Sequence, residues 1–103
     1  MFIQKKVETT TKAKLNIEDI RDYLPLGSIV QLQDTQKYMI AGMDQFDKVT
    51  KQDYDYVGVL YPEGILGVDP NKFFDHADIT RVVHMGYVDE DYESLLDLLT
   101  SLF

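Results

Sequence analysis

The side chains best suited to chemistry in this sequence gather around one of its two histidines, His76 and His84. His76 follows Asp75 and precedes Asp78, a spacing that could pair an imidazole base with a carboxylate or supply metal ligands. A metal site requires its ligands to converge on one point, which a short turn and a distant second histidine do not ensure. We therefore expect Asp75 or Asp78 to cap a local turn and His76 to hydrogen-bond within it.

Other residue types that serve catalysis are present without the spacing that catalysis requires. Paired-carboxylate hydrolysis needs two acids at a set distance across a cleft, and a calcium loop needs spaced oxygen ligands around a fixed glycine. The segment Gly64–Gly67 is too sparse in glycine for a phosphate loop and lacks its lysine. Cysteine is absent, which excludes disulfides, thiolate metal sites and a cysteine nucleophile. We expect no catalytic residue, no metal, no cofactor and no enzyme activity.

Charge limits the class of partner further. The 103 residues include 10 basic and 18 acidic side chains, a formal net charge of −8. Residues 1–15 hold four lysines against one glutamate, so the rest of the chain is strongly acidic. Such a surface binds phosphate backbones and anionic membranes poorly. With no secretory signal and no long apolar run, the sequence predicts a cytoplasmic protein without membrane insertion, whose main partner is not nucleic acid.

Tyrosines and leucines are the best candidates for a binding surface. Three of the seven tyrosines fall on one predicted strand, where they form either cross-strand aromatic pairs or a protein-binding face. The predicted C-terminal helix has more apolar residues than the single stripe needed to cover a sheet, and the excess could dock a partner helix. Six candidate partner-binding residues follow: Tyr54, Tyr56, Tyr61, Leu98, Leu102 and Phe103.

The elements that position these residues follow from the hydrophobic patterns. Residues 1–15 are expected to be a flexible or extended arm with an edge strand at 2–8, and residues 16–103 a single domain. A short helix at 17–22 is capped by Asn16 and stopped by Pro25. The remaining predictions are strands at 28–33, 38–43, 54–61 and 80–87, a loop or irregular strand at 44–53, a 3₁₀ or helical turn at 73–79, and an amphipathic helix at 89–102.

The architecture predicted from these elements is α+β. Four to five short antiparallel strands form a curled sheet, with a short helix before it and a longer amphipathic helix after it. Both faces of the strand at 54–61 are apolar, which indicates that it is covered on both sides, and Gly58 within it indicates a bulge or a close backbone approach. The patterns do not separate an open sheet from a closed SH3-like barrel.

Five short motifs together resemble one family. They are Leu24–Val30 (LPLGSIV), Tyr38–Gly42 (YMIAG), Tyr54–Gly64 (YDYVGVLYPEG), Phe74–Ile79 (FDHADI) and Gly86–Glu90 (GYVDE). The set is similar to a small domain-of-unknown-function family of Gram-positive bacteria whose genes lie among type VII secretion and LXG polymorphic-toxin loci. The similarity covers about residues 24–90, and its most specific block is 54–64. The turn at 34–37 departs from the family pattern, in which a glycine-containing turn is expected.

The resemblance implies an accessory protein of an LXG toxin. The expected role is a cytoplasmic chaperone or targeting factor that binds the helical N-terminal region of the toxin before export. An immunity protein that neutralises the toxin's catalytic domain is the alternative, for which the acidic body is suitable, and a small enzyme or ligand-binding domain is the third hypothesis. The family offers no catalytic residues to transfer, and its conspicuous residues Gly27, Gly58, Pro62 and Gly64 are interpreted as determinants of the fold.

Overall fold

The computed structural model describes residues 22–65, 67 and 71–102. Within them the chain forms a five-stranded sheet and one α-helix. The bounds are β1 Ile29–Leu32, β2 Lys37–Asp47, β3 Gln52–Leu60, β4 Lys72–Phe74, a 3₁₀ turn His76–Asp78, β5 Ile79–His84 and helix α1 Glu90–Leu102. The arm predicted for 1–15, its edge strand at 2–8 and the helix predicted for 17–22 lie outside the described residues.

The sheet is antiparallel throughout and has the strand order β4-β3-β2-β1-β5. The first four strands form a meander, and β5 returns to pair with β1 at the far side. In the part of the chain that the structure describes, no ladder joins β4 to β5, so the sheet is open. The α+β class is therefore confirmed, while the closed-barrel alternative is wrong for these residues.

The β1–β2 hairpin follows the predicted alternation and closes with the predicted turn, which lacks the glycine of the family pattern. Gln36 donates its backbone N–H to Asp34 Oδ1 at 2.9 Å, and the Tyr38 hydroxyl donates to Asp34 Oδ2 at 2.8 Å. Thr35 adopts the left-handed conformation with φ of 66°. The side chain of Asp34 therefore stabilises a turn in which a glycine would have been expected.

Two stretches depart from the predicted secondary structure. The polar segment 44–53 was predicted to be a loop or an irregular strand. It continues β2 to Asp47 and begins β3 at Gln52, so the paired strands of this hairpin are longer than predicted. The three-residue strand β4 was not predicted, because it lies in the segment interpreted as a turn. The predicted 3₁₀ turn, the following strand and the C-terminal helix are all present.

Gly58 lies where the backbones of β2 and β3 approach closely. Ile40 pairs with Gly58 and Gly42 with Val57, which leaves Ala41 as the extra residue of a bulge. A Cβ on Gly58 would lie 2.9 Å from the Met39 carbonyl oxygen. The predicted close approach is confirmed.

A side chain at Gly58 is therefore expected to destabilise the fold. Gly58→Val should lower the free energy of unfolding by about 1–3 kcal/mol, because β2 or Phe74 must shift to make room. Gly58→Ala should cost less, since it adds one carbon where valine adds three. Urea denaturation with far-UV circular dichroism measures both. If both variants kept the wild-type midpoint and lost partner binding, Gly58 would be a contact residue instead.

The core lies between one face of the sheet and the segments that precede and follow it. Its buried members are Tyr23, Leu24, Val30, Leu32, Tyr38, Ile40, Tyr56, Phe74 and Ile79. Helix α1 contributes Leu96, which is 3% exposed, and Leu99 packs against the same cluster. Asp89 caps α1, because its Oδ1 accepts the Tyr92 backbone N–H at 3.1 Å. No helix among the described residues is long and apolar enough to cross a membrane.

Candidate functional site

A buried carboxylate lies at the centre of the structure. Asp55 on β3 is 2% exposed. Its Oδ1 accepts a hydrogen bond from the Tyr23 hydroxyl at 3.0 Å, and its Oδ2 accepts the His76 backbone N–H at 2.8 Å. A carboxylate transferred from water into the interior needs such donors, because burial otherwise favours its neutral form. Asp55 thus joins the segment before β1, strand β3 and the 3₁₀ turn.

Tyr56, the next residue along β3, makes a second set of links between the same segments. Its hydroxyl accepts the Leu24 backbone N–H at 2.9 Å and lies 2.8 Å from His76 Nδ1. Its ring packs against those of Tyr23 and Phe74, with centroids 5.4 and 5.5 Å apart. His76 was predicted to hydrogen-bond within its own turn. Its side chain instead also contacts Tyr56 on β3.

The local capping predicted around His76 is present. The backbone N–H of Asp75 donates to Asp78 Oδ2 at 2.9 Å, which forms one half of a capping box. Asp75 Oδ1 also accepts the backbone N–H of Asp55 at 3.0 Å, so the cap extends to the sheet. These two aspartates and His76 therefore orient the turn on β3.

The electrostatics of this network follow from its burial. Desolvation raises the pKa of the Asp55 carboxyl to about 6; the nearby charges of Asp75 and Asp44 add to the rise, and the hydrogen bonds from His76 N–H and Tyr23 oppose it. Burial first, and the charge of Asp55 second, raise the pKa of Tyr23 well above its usual range. Burial thus disfavours the charged form of both side chains, while a carboxyl with a pKa of about 6 is still largely ionised at pH 7. The network links three segments of the fold, and Tyr23, Asp55 and Tyr56 within it are buried.

The two histidines do not come together with carboxylates in a metal site among the described residues. His84 lies exposed on β5, outside the network. No group of three His, Asp or Glu side chains within the described ranges is placed to hold a metal ion. The expectation that the chain needs neither metal nor cofactor stays a prediction.

The three candidate tyrosines occupy different environments. Tyr56 is fully buried and packs in the core, so its assignment as a partner contact is wrong. Tyr54 is partly buried, with its ring 5.7 Å from that of Phe73, and only Tyr61, at 43% exposure, presents a large apolar surface. Strand β3 pairs with both β2 and β4 around Tyr56, so this stretch is interior to the sheet and offers no strand edge.

The candidate leucines of α1 lie at the surface. Leu98 is 55% exposed and Leu102 is 68% exposed, and Leu95 one turn earlier is 37% exposed. The spacing of three and four residues places them on one side of the helix. We call Leu95, Leu98 and Leu102 the leucine face. Phe103, the sixth candidate, lies outside the described residues.

A groove lies where α1 meets the segments 22–25 and 85–88. Its volume is about 360 Å³. Tyr92 lines this groove, and its hydroxyl donates to the Tyr23 carbonyl oxygen at 2.8 Å, which ties the helix to the segment before β1. The groove is lined by Asp22, Tyr23, Leu24, Pro25, Met85, Val88, Tyr92, Glu93 and Leu96. It is mainly apolar, with carboxylates from Asp22 and Glu93.

Sequence patterns missed the buried network because its members are far apart in the chain. The bond between Tyr23 and Asp55 spans 32 positions, and that between Tyr56 and His76 spans 20. One signal was available: Asp55 is an acid within a strand whose other residues are mostly apolar on both faces. A charge in such a strand requires partners from elsewhere in the fold.

Comparison with known proteins gives one match. A family model described as a domain of unknown function, DUF4176, matches residues 23–95. The matched region begins at Tyr23 and includes Asp55, Tyr56 and His76, so the whole buried network lies within it. No curated protein and no solved structure matches the chain significantly.

Proposed function

The chain belongs to the DUF4176 family of domains of unknown function. We propose that it is a non-enzymatic accessory protein that binds another protein through the leucine face of α1. The observation that carries the proposal is the exposure of Leu98 and Leu102, at 55% and 68%. Helix α1 already buries Leu96 against the core, so these leucines are not needed to hold it in place. Clustered exposed apolar side chains are typical of interaction surfaces.

The burial of the main acid–base cluster among the described residues supports a binding role over an enzymatic one. Among the described residues, one acid–base cluster makes hydrogen bonds that join separate elements of the fold. Its members are Tyr23, Asp55, Tyr56 and His76. Asp55 and Tyr56 are almost completely buried. A substrate could reach them only by opening the core.

The partner we propose is an LXG toxin exported by type VII secretion. This rests on the resemblance of motifs such as Tyr54–Gly64 to a family whose genes lie among these loci. In this role the chain is a cytoplasmic chaperone or targeting factor, and it binds the helical N-terminal region of the toxin. A leucine face on a surface helix is suited to such a target, because helices recognise one another through apolar residues at three- and four-residue spacing.

A double substitution in the leucine face tests the proposal. Leu98→Asp with Leu102→Asp should weaken the complex with the N-terminal half of the toxin at least about ten-fold, because it places two charges in an apolar contact. The melting temperature should change little, since both side chains are exposed. Val49→Asp is the matched control: Val49 is 88% exposed at the far tip of the β2–β3 hairpin, and its replacement should leave binding intact.

Co-purification with the separated toxin halves identifies the bound region. Retention of the N-terminal half alone supports the chaperone role, and failure to retain either half would contradict the proposed function. If the double variant unfolded, the leucine face would be core and the assignment of the binding surface would be wrong.

Immunity is the second candidate function, and the acidity of the exposed helix favours it. Helix α1 carries Glu90, Asp91, Glu93 and Asp97 and no basic residue. A surface of this kind can imitate an anionic substrate in the catalytic cleft of a toxin. Retention of only the C-terminal toxin half, together with rescue of poisoned cells on co-expression, would establish this role in place of the first.

A further inference from the structure

The charges of α1 restrict what can cover its leucine face. All four of its charged side chains are carboxylates. One of them, Asp91, stands four residues before Leu95, so helical spacing places it at the N-terminal end of the leucine face. At the other end, the last turn contains no basic residue to offset the negative pole of the helix. The apolar surface is therefore bordered by negative potential at both ends.

This arrangement disfavours a second copy of the chain as the occupant. Two copies packed through their leucine faces would bring two wholly acidic helices together, and like charges across an interface oppose association. The net charge of −8 adds a long-range repulsion between copies. The occupant must instead bring positive charge.

The shape of the surface specifies the kind of element that binds. Leu95, Leu98 and Leu102 are exposed and form a ridge along one side of α1. A helix with its own apolar stripe can pack against such a ridge, whereas an added strand would need an unpaired sheet edge that α1 does not provide.

We infer that the leucine face binds a basic amphipathic helix, in which an apolar stripe at three- and four-residue spacing is flanked by lysine or arginine. The inference rests on the proposed function and specifies its partner: the bound segment of the toxin should be a helix of this composition. Its apolar stripe packs on Leu98 and Leu102. One flanking cation lies near Asp91, and another lies near the carbonyl groups at the C-terminal end of α1.

Designed peptides test this inference without the toxin. One helical peptide carries a leucine stripe flanked by lysines, a second has glutamates in place of the lysines, and a third keeps the lysines but scrambles the stripe. Fluorescence anisotropy with the full chain should show the lysine peptide binding at least about ten-fold more tightly than either of the others, with affinity falling as salt is added. The variant with Leu98→Asp and Leu102→Asp should lose the lysine peptide.

Charge reversal at one exposed position gives a second test that does not disturb the apolar contact. Asp91→Lys should weaken binding of the lysine peptide about fivefold, the change that corresponds to one exposed ion pair. The same variant should bind the glutamate peptide more tightly than the wild type does. Val49→Asp, on the hairpin far along the chain from α1, should change neither affinity.

The outcomes separate the inference from the proposed function. If the lysine and glutamate peptides bound equally, or if the wild type retained the N-terminal toxin half but not the lysine peptide, the inference would be wrong and the proposed function would stand. If the lysine peptide bound and neither toxin half did, the proposed function would fail while the inference stood. A dimer abolished by Leu98→Asp and Leu102→Asp would identify a second copy as the occupant and overturn the inference.

Discussion

Replacing Tyr56 by alanine is expected to lower the free energy of unfolding by about 3–5 kcal/mol, which approaches the whole stability of a domain of this size. The side chain is fully buried and packs against Tyr23 and Phe74. Its removal would leave a cavity in the core. It would also leave the Leu24 backbone N–H and His76 Nδ1 without the hydroxyl that now bonds them.

Two further variants divide this effect into its parts. Tyr56→Phe retains the ring and removes the hydroxyl, so it should cost about 1–3 kcal/mol, the penalty for buried polar groups left without that bond. Tyr61→Ala is the matched control just beyond the same strand, and its 43% exposure predicts a much smaller loss. Chemical denaturation gives all three values. If Tyr56→Ala were as mild as Tyr61→Ala, Tyr56 could not be the core residue described above.

The chain is expected to become more stable as the pH falls from about 7 to about 4, and Asp55 is the main cause. Burial raises the pKa of its carboxyl in the folded chain to about 6, against 3.8 for an ordinary aspartate. Between these values the folded state binds more protons than the unfolded state, so the free energy of unfolding rises as the pH falls. The contribution of this one group is up to about 3 kcal/mol.

Urea denaturation between about pH 5 and about pH 7 measures this dependence. Asp55→Asn should flatten the profile over this range, because the titrating group is gone. Glu63→Gln removes the same charge from an exposed position and should leave the slope almost as in the wild type. Parallel profiles for the wild type and Asp55→Asn would show that Asp55 is not the group responsible.

Local patterns were sufficient for much of this fold. The alternation of apolar and polar residues predicted the β1–β2 hairpin. The apolar residues on both faces of β3 predicted that other segments cover it on both sides. Helical spacing, with acidic residues in the first turn, predicted α1. These features depend on neighbours in the chain. Strand β4 and the extensions of β2 and β3 form because they pair with another strand. Their sequences are too short or too polar to predict that pairing.

The candidate surfaces were predictable only in part, for a related reason. The excess leucines of α1 could be counted from the sequence, because one stripe suffices to cover a sheet. A tyrosine on or next to β3 is buried if the segment 22–25 and the 3₁₀ turn pack over it, and it is exposed if they do not. For this reason Tyr56 could not be separated from Tyr61 before the structure was known.

The pairing of β5 with β1 also bears on the order in which the chain folds. Ile29 pairs with Met39 across a short turn on one side, but with His84 on the other, so this ladder closes a loop that contains most of the sheet. Just beyond it, Gly86 donates its N–H to Ser28 Oγ at 2.9 Å, and a side chain at Gly86 would overlap the Leu26 carbonyl oxygen. Contacts of such long sequence separation form late, since their loop-closure entropy must be overcome first. We therefore expect substitutions at the seam between β1 and β5 to accelerate unfolding more than they slow refolding, which stopped-flow measurements across a range of urea concentrations would show.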